Sequence, residues 1–402
     1  MVMHQKRVVS GMRATGPLHL GHFHGVLKNW LKLQHEYECF FFAADWHALT
    51  THYEKPGSIG DNVWEMVIDW LAVGINPGLS KLFVQSRVPE HAELHVLLSM
   101  ITPLSWLERV PSYKDQQEKL KELDLATYGF LGYPLLQSAD ILIYKAVKVP
   151  VGEDQVAHVE LTRELARRFN YLYGREPGFA ENAHTAIKNL GKKNAKIYQD
   201  LRKRHQEQGD GQALDTARAL LAAQQNLTLG DRELLFGYLE GESRIIFPEP
   251  EALLTSAAKL PGLDGQKMSK SYGNTIGLRE DPLAVEKKLK TMPTDPARVR
   301  RNDCGDPERC PVWKFHQIYS TDEVQRWVVN GCTTAGIGCL DCKKQVIDVV
   351  LAELEPIRKA GEQFKQDPEA VRSIIAQGCE EARDVARQTL DEVRAAMGLS
   401  YR

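Results

Sequence analysis

Arg7-Val8-Val9-Ser10-Gly11, then Gly16-Pro17, then His19-Leu20-Gly21-His22 open this chain. The stretch reads as a short buried strand that stops at Gly11, a turn, and the start of a helix. The same alternation recurs downstream. Cys39-Phe40-Phe41-Phe42-Ala43-Ala44 reads as a second strand ending at Asp45-Trp46-His47, and Lys81-Leu82-Phe83-Val84-Gln85 as a third. Residues Val147 to Val151 read as a fourth, feeding a helix from Glu153 to about Phe169. Apolar strands separated by helical patterns predict an α/β fold with a Rossmann-like parallel sheet and helices on both faces. Ligands of such sheets bind beyond the carboxyl ends of the strands. Gly11, Asp45, Gln85 and Gly152 fall there and are expected to converge.

Further along, the pattern changes twice. Residues 174–246 are polar, with Lys192, Lys193, Lys196, Arg202, Lys203 and Arg204 clustered and a Gly-Asp-Gly break at 209–211. They read as an insert whose first part is a charged helix and whose Ala213–Gln225 part is an Ala-rich one. Either it is a solvated appendage without chemistry, or it touches RNA or gates a site. From Asp281-Pro282 onward, charged and apolar residues alternate at helical spacing, with Pro356 ending one helix or starting another. The expected organisation is a catalytic domain in two parts, 1–173 and 247–280, interrupted by the 174–246 insert and followed by a helical C-terminal domain, 281–402.

The composition excludes some classes. The chain has 402 residues, 43% hydrophobic and 26% charged, with a formal net charge of -2. That is an ordinary soluble globular composition, and its balance does not announce a nucleic-acid binder, so any RNA contact rests on local basic patches. No apolar run approaches the roughly 18 residues of a membrane span, and Met1 to Ser10 lack a secretory core. A cytoplasmic enzyme is expected.

The most specific chemistry lies at Lys267-Met268-Ser269-Lys270-Ser271, approached through Pro261-Gly262-Leu263-Asp264-Gly265-Gln266 and followed by Gly273. Such a loop brings two positive charges to one place, which suits a reaction that builds negative charge on polyphosphate oxygens. At the first motif, backbone amides at a helix N-terminus favour phosphate, Gly21 leaves room for a nucleotide, and His19 and His22 offer hydrogen-bond donors. Together the two motifs resemble those of class I aminoacyl-tRNA synthetases. The resemblance implies attack of an amino-acid carboxylate on the α-phosphate of ATP, with Lys267, Lys270 and Mg2+ stabilising the phosphates.

The remaining motifs narrow the family. Gly152-Glu153-Asp154-Gln155 with His158 and Glu160-Leu161-Thr162-Arg163, Tyr133-Pro134-Leu135-Leu136-Gln137-Ser138-Ala139-Asp140, Ser10-Gly11-Met12-Arg13, Asp45-Trp46-His47 and Thr294-Asp295-Pro296 resemble the bacterial tryptophanyl-tRNA synthetases. The match spans the chain except the insert. By position, it implies that Asp140 accepts the indole N–H and that Tyr133 and Gln155 hold the substrate amino group. Val149 and Val151 would line the indole pocket, with Gln137 where the family often has methionine. Arg13, Gly21, His47, Gly152, Asp154, Lys267, Met268, Ser269 and Lys270 would lie along ATP, and a loop lysine of the family corresponds to Lys114. Taken alone, Asp140 also fits a local ion pair with Lys145. The partners implied are ATP, L-tryptophan and tRNA(Trp), with Arg298, Arg300 and Arg301 expected among the RNA contacts, and the family implies a homodimer. The alternatives in view are a tyrosyl-tRNA synthetase and a paralogue kept for binding or regulation.

Four of the seven cysteines, Cys310, Cys332, Cys339 and Cys342, follow C-x21-C-x6-C-x2-C. The last pair has chelate spacing, and four thiolates suit Zn2+ or an iron–sulfur cluster. Cys304 competes with Cys310 as the first ligand. A subset of the bacterial family carries a similar quartet, and that resemblance implies a [4Fe-4S] cluster.

Overall fold

The computed structural model describes residues 6–111, 127–174, 178–208, 210–240, 245–254 and 260–401. Lys114 falls outside them. The strands are β1 (Arg7–Arg13), β2 (Glu38–Ala44), β3 (Ser80–Val84), β4 (Lys148–Val151) and β5 (Glu251–Leu254). They form one sheet in the order β3-β2-β1-β4-β5, with β1–β4 and β2–β3 paired in parallel. The expected α/β parallel-sheet class is what the chain adopts, with a helical C-terminal part.

Four strands were legible because buried parallel strands are near-continuous apolar runs, and Cys39 to Ala44 are all buried. β1 does not stop at Gly11 but runs to Arg13. Gly11 lies inside the strand, where a Cβ would sit 2.5 Å from the Phe42 ring, so its small size serves packing. β5 carries no strand signal in its own residues: Glu-Ala-Leu-Leu are helix-forming, held here as a strand by the sheet, with Glu251 N–H donating to Val147 O at 2.9 Å. Pro356 neither ends nor starts a helix, since the helix Cys339–Gln366 runs through it.

By internal contacts the chain gathers into two compact units. One comprises residues up to Val9, Val88–Leu253 and those from Glu381 on; the other comprises Ser10–Arg87 and Leu254–Glu380. In the second, Trp30 stacks flat on Phe41 at 4.0 Å, and Trp70 meets it edge-on at 5.3 Å. The helix Cys339–Gln366 packs along Ile59–Ala72 in the same unit. In the first unit the helix Tyr128–Leu142, capped by Thr127, packs between Glu90–Ser99 and Val156–Tyr173.

The insert is more than a polar face. Four helices, Phe179–Asn189, Gly191–Gln208, Gly211–Ala223 and Leu229–Glu240, pack on one another. They enclose their own core of Phe179, Ile187, Tyr198, Leu221, Leu235 and Leu239, among others. Asp210, in the predicted break, caps the third helix by accepting from Ala213 N–H at 3.0 Å.

Candidate active site

The two sequence motifs meet within the second unit. His19 and Gly277 form an antiparallel bridge, flanked by Leu20 N–H to Ile276 O at 3.0 Å and Leu278 N–H to Leu18 O at 3.1 Å. Gly21 N–H points at Met268 Sδ, 3.3 Å away. A Cβ on Gly21 would lie 3.3 Å from Met268 Cβ and 3.0 Å from the His19 ring, so this glycine lets the lysine loop close on the first motif. The Lys270 ammonium lies over the Gly16-Pro17 turn, where Gly16 takes φ +125° and a Cβ would be 3.1 Å from Nζ. Met268 is buried, Lys267 is exposed and Lys270 is half-buried.

Asn274 organises this loop, and no sequence signal marked it. It is buried, and its side chain accepts from Ser269 N–H at 2.8 Å while donating to Asp264 at 2.7 Å and to Lys267 O at 3.1 Å. Gly262 makes room for it, because a Cβ there would overlap the Asn274 amide at 2.2 Å.

The electrostatics suit a polyanion. Burial first, and Lys270 second, hold the His19 imidazole down to about 4. Burial, His19 and the two lysines push His22 well below its ordinary value. Both rings are therefore neutral at pH 7 and act as hydrogen-bonding groups. Among the described residues, buried His19 Nδ1 finds no hydrogen-bond partner, which is costly unless a ligand completes it. Burial also lowers Lys270 to about 8, with Asp69 pulling the other way. Of the other residues expected along ATP, Arg13 ends β1 and donates to Thr51 Oγ1 at 2.6 Å, and His47 is buried in the helix that follows β2.

A second group of expected residues belongs to the other unit. Asp140 is buried, and its Oδ1 lies 2.6 Å from His91 Nδ1, whose Nε2 in turn lies 2.7 Å from the Tyr144 hydroxyl. An ionised carboxylate only accepts, so a hydrogen bond from an ionised Asp140 to this ring runs from Nδ1–H to Oδ1. Lys145, the alternative partner considered for Asp140, pairs with Glu392 at 2.9 Å. Tyr133 Oη lies 3.3 Å from His158 Nε2, and His158 Nδ1 lies 2.6 Å from Gln155 Oε1. Gln155 donates to Asp154 at 3.2 Å. Gly152 lets Asp154 fold back, since a Cβ would sit 2.7 Å from its Oδ1. Val149 and Val151 are buried at β4 and Gln137 is half-buried. Two histidines that sequence reasoning gave no role, His91 and His158, thus hold the expected substrate-binding side chains. Gly11, Asp45 and Gln85 lie in one unit and Gly152 in the other.

These motifs agree with known proteins. The profile of the family "tRNA synthetases class I (W and Y)" matches residues 3–196 and 223–355. A tryptophan–tRNA ligase of Ralstonia nicotianae is 66% identical over 399 residues, covering 99% of this chain and 100% of that one. This chain belongs to the tryptophan–tRNA ligases. The family's ligase from Thermotoga maritima is 46% identical over 397 residues, covering 98% of this chain and 100% of its own. Among solved structures, the tryptophanyl-tRNA synthetase of Campylobacter jejuni complexed with ADP and tryptophan superposes with a TM-score of 0.73. It shares 26% identity and covers 98% of this chain and 100% of its own. The family profile leaves out residues 197–222, which lie inside the insert of this synthetase.

Four cysteines of the synthetase, Cys310, Cys332, Cys339 and Cys342, act on one another within the second unit. Burial pushes the Cys342 thiol up to about 12, and Cys310, Cys332 and Cys339 push the same way while Arg298 opposes. Burial likewise raises Cys332, again with Cys310 and Cys339 contributing. Cys304 is exposed and plays no part in either shift. Among the described residues, no three His, Cys, Asp or Glu side chains are drawn into a ready site for a single metal ion. Two buried cations stand beside the thiols. Arg298 approaches Cys332 Sγ at 3.9 Å, and Lys343 donates to Lys290 O at 2.7 Å. His316 Nε2 lies 3.2 Å from Cys342 Sγ. Arg298 therefore does not face RNA as expected: its guanidinium is turned inward, donating to Ile337 O at 2.5 Å and Arg301 O at 3.1 Å. Arg300 and Arg301 are exposed.

Proposed function

We infer that this enzyme joins L-tryptophan to ATP, forming tryptophanyl-adenylate and pyrophosphate, and then transfers the tryptophanyl group to tRNA(Trp) as an ester. The observation that carries this reading is the bridge between His19 and Gly277, which seats Met268 on Gly21 and Lys270 over Gly16. The tryptophan carboxylate is already a nucleophile at neutral pH, so the protein needs no activated serine or cysteine. Its work is in-line positioning and stabilisation of charge on the phosphates. Lys267 and Lys270 face the triphosphate, whose Mg2+ arrives with the nucleotide. The neutral His19 and His22 rings each donate one N–H to phosphate oxygens, and Arg13, Gly21, His47, Gly152, Asp154 and Ser269 line the nucleotide. Asp140 accepts the indole N–H, with the ring between the apolar walls Val149 and Val151 and beside the side chain of Gln137, while Tyr133 and Gln155, braced through His158, hold the ammonium.

ATP–pyrophosphate exchange tests this directly. Exchange that depends on tryptophan and not on tyrosine is expected, followed by charging of tRNA(Trp). Exchange with tyrosine alone, or none at all, refutes it.

The Cys310, Cys332, Cys339 and Cys342 thiols would hold a [4Fe-4S] cluster as a structural staple, outside the chemistry. Arg298 and Lys343 beside the thiols support this, since they would offset the negative charge of four thiolates. Protein purified without air should be brown and contain iron and sulfide, and Cys342→Ala should lose both while adenylation persists. A colourless protein with one equivalent of Zn2+ gives the site to zinc instead.

A homodimer is also part of this reading. Val96, Met100, Leu104 and Tyr128 are 50%, 69%, 62% and 63% exposed on adjoining parts of one unit, an apolar surface that suits a second copy. The division into 1–173, 174–246, 247–280 and 281–402 describes the sequence order of the functional parts. A cytoplasmic location fits a protein in whose described residues no helix is long and apolar enough to cross a membrane.

A further inference from the structure

A buried ion pair lies beneath the junction of the two motifs. Asp69, on the helix Ile59–Ala72, is 1% exposed. Its Oδ2 accepts from Leu18 N–H at 2.9 Å, and its Oδ1 accepts from Arg279 Nε at 2.5 Å. Leu18 immediately precedes His19. Arg279 is two residues beyond Gly277, the residue that bridges His19. One carboxylate thus grips both strands of the junction from below. Arg279 is itself held by Glu65, which accepts from Nη2 at 2.5 Å, and Lys365 stands 3.6 Å from the same Glu65 carboxylate. The Arg279 stem crosses Gly361, where a Cβ would collide with its Cδ at 2.2 Å.

We propose that Asp69 and Arg279 are positioning residues for adenylate formation, a buried strut that fixes the first motif against the segment leaving the lysine loop. The inference rests on the assignment of His19 and Lys270 to the phosphates. A buried carboxylate and guanidinium are a costly means of adding stability, because their desolvation offsets most of their attraction. What they supply is directional: both groups fail unless Leu18 and Arg279 keep their register. Register is what the site needs, because misplacing reacting groups by about 1 Å costs up to about 100-fold in rate.

The strut also reaches Lys270 electrostatically. Lys270 acts on His19 and on His22, which Lys267 also reaches, and Asp69, behind which stand Arg279 and Glu65, is the charged group that acts on Lys270. Asp69 supports the charged form of Lys270 against its burial. Removing the Asp69 charge lets Lys270 lose its proton at lower pH.

The test uses the full-length enzyme and ATP–pyrophosphate exchange. Asp69→Asn and Arg279→Gln should each lower kcat/KM for ATP by about 10- to 100-fold with the KM for tryptophan unchanged. The double variant should be no worse than the worse single one. In Asp69→Asn the alkaline limb of kcat/KM for ATP should move to lower pH, which a purely structural residue would not do. Wild-type exchange, additive losses, an equal rise in the tryptophan KM or an unmoved limb overturns the strut. Should Asp69→Asn fail to fold, Gly361→Ala decides. Alanine favours a helix interior but displaces the Arg279 stem, so the ATP-specific loss should persist in a folded protein, and normal exchange rejects the proposal. Lys270→Ala is run alongside. If it too exchanges normally, the phosphate assignment has failed; if it alone is slow, only the strut has.

Discussion

Replacing Lys270 with alanine slows tryptophanyl-adenylate formation by about two to three orders of magnitude, the equivalent of roughly 3–4 kcal/mol of transition-state stabilisation. The ammonium lies over the Gly16 turn and acts on His19, so its charge is fixed at the junction of the two motifs. His19 and His22 are held neutral and cannot substitute for the charge. Because the charge matters as the α–β phosphate bond breaks, kcat should fall with little change in tryptophan binding. In the wild-type enzyme, kcat/KM for ATP reports the free protein, where burial places Lys270 at about 8. The charged form acts, so activity should be constant below that pH and decline above it. Single-turnover measurement of adenylate formation checks the magnitude, and a near-normal rate in Lys270→Ala removes the lysine from the mechanism.

Asp140→Ala is the second large effect, and it is one of selectivity. A hydrogen bond to a buried carboxylate contributes about 1.5–3 kcal/mol, so kcat/KM for tryptophan should drop by about 10- to 150-fold. The more telling result is a ratio. The wild-type enzyme should reject an analogue whose ring N–H is replaced by sulfur, because a buried acceptor is then left unpaired. The variant should treat the two substrates nearly alike. Some stability is lost as well, since His91 loses the partner at its Nδ1, by about 1–3 kcal/mol. A variant that keeps the wild-type preference, measured at matched folding, excludes Asp140 as the indole reader.

How much of this was legible in the sequence follows from where each signal resides. β2 declares itself in six consecutive apolar residues, because a strand buried on both faces needs no alternation. The lysine loop and the first motif are legible because their chemistry demands particular residues at fixed spacing. β5 was hidden because the neighbouring strand, not its own composition, dictates its conformation. Pro356 misled for a related reason: packing along Ile59–Ala72 holds the helix through a residue that would end it in isolation. Asn274, His91 and Asp69 left no trace. The Asp69–Arg279 contact spans 210 residues and the His91–Asp140 contact 49, and nothing in either local stretch foretells its partner. Arg298 shows the converse, a basic residue in a basic run that the fold turns inward to sulfur and carbonyl groups.

The four-helix insert buries Phe179, Tyr198 and Leu235 against one another. An appendage that satisfies its own greasy side chains asks for no rearrangement of its host when it is acquired, trimmed or replaced. Natural variation among relatives should therefore fall on its outward lysines and arginines long before it reaches those three positions.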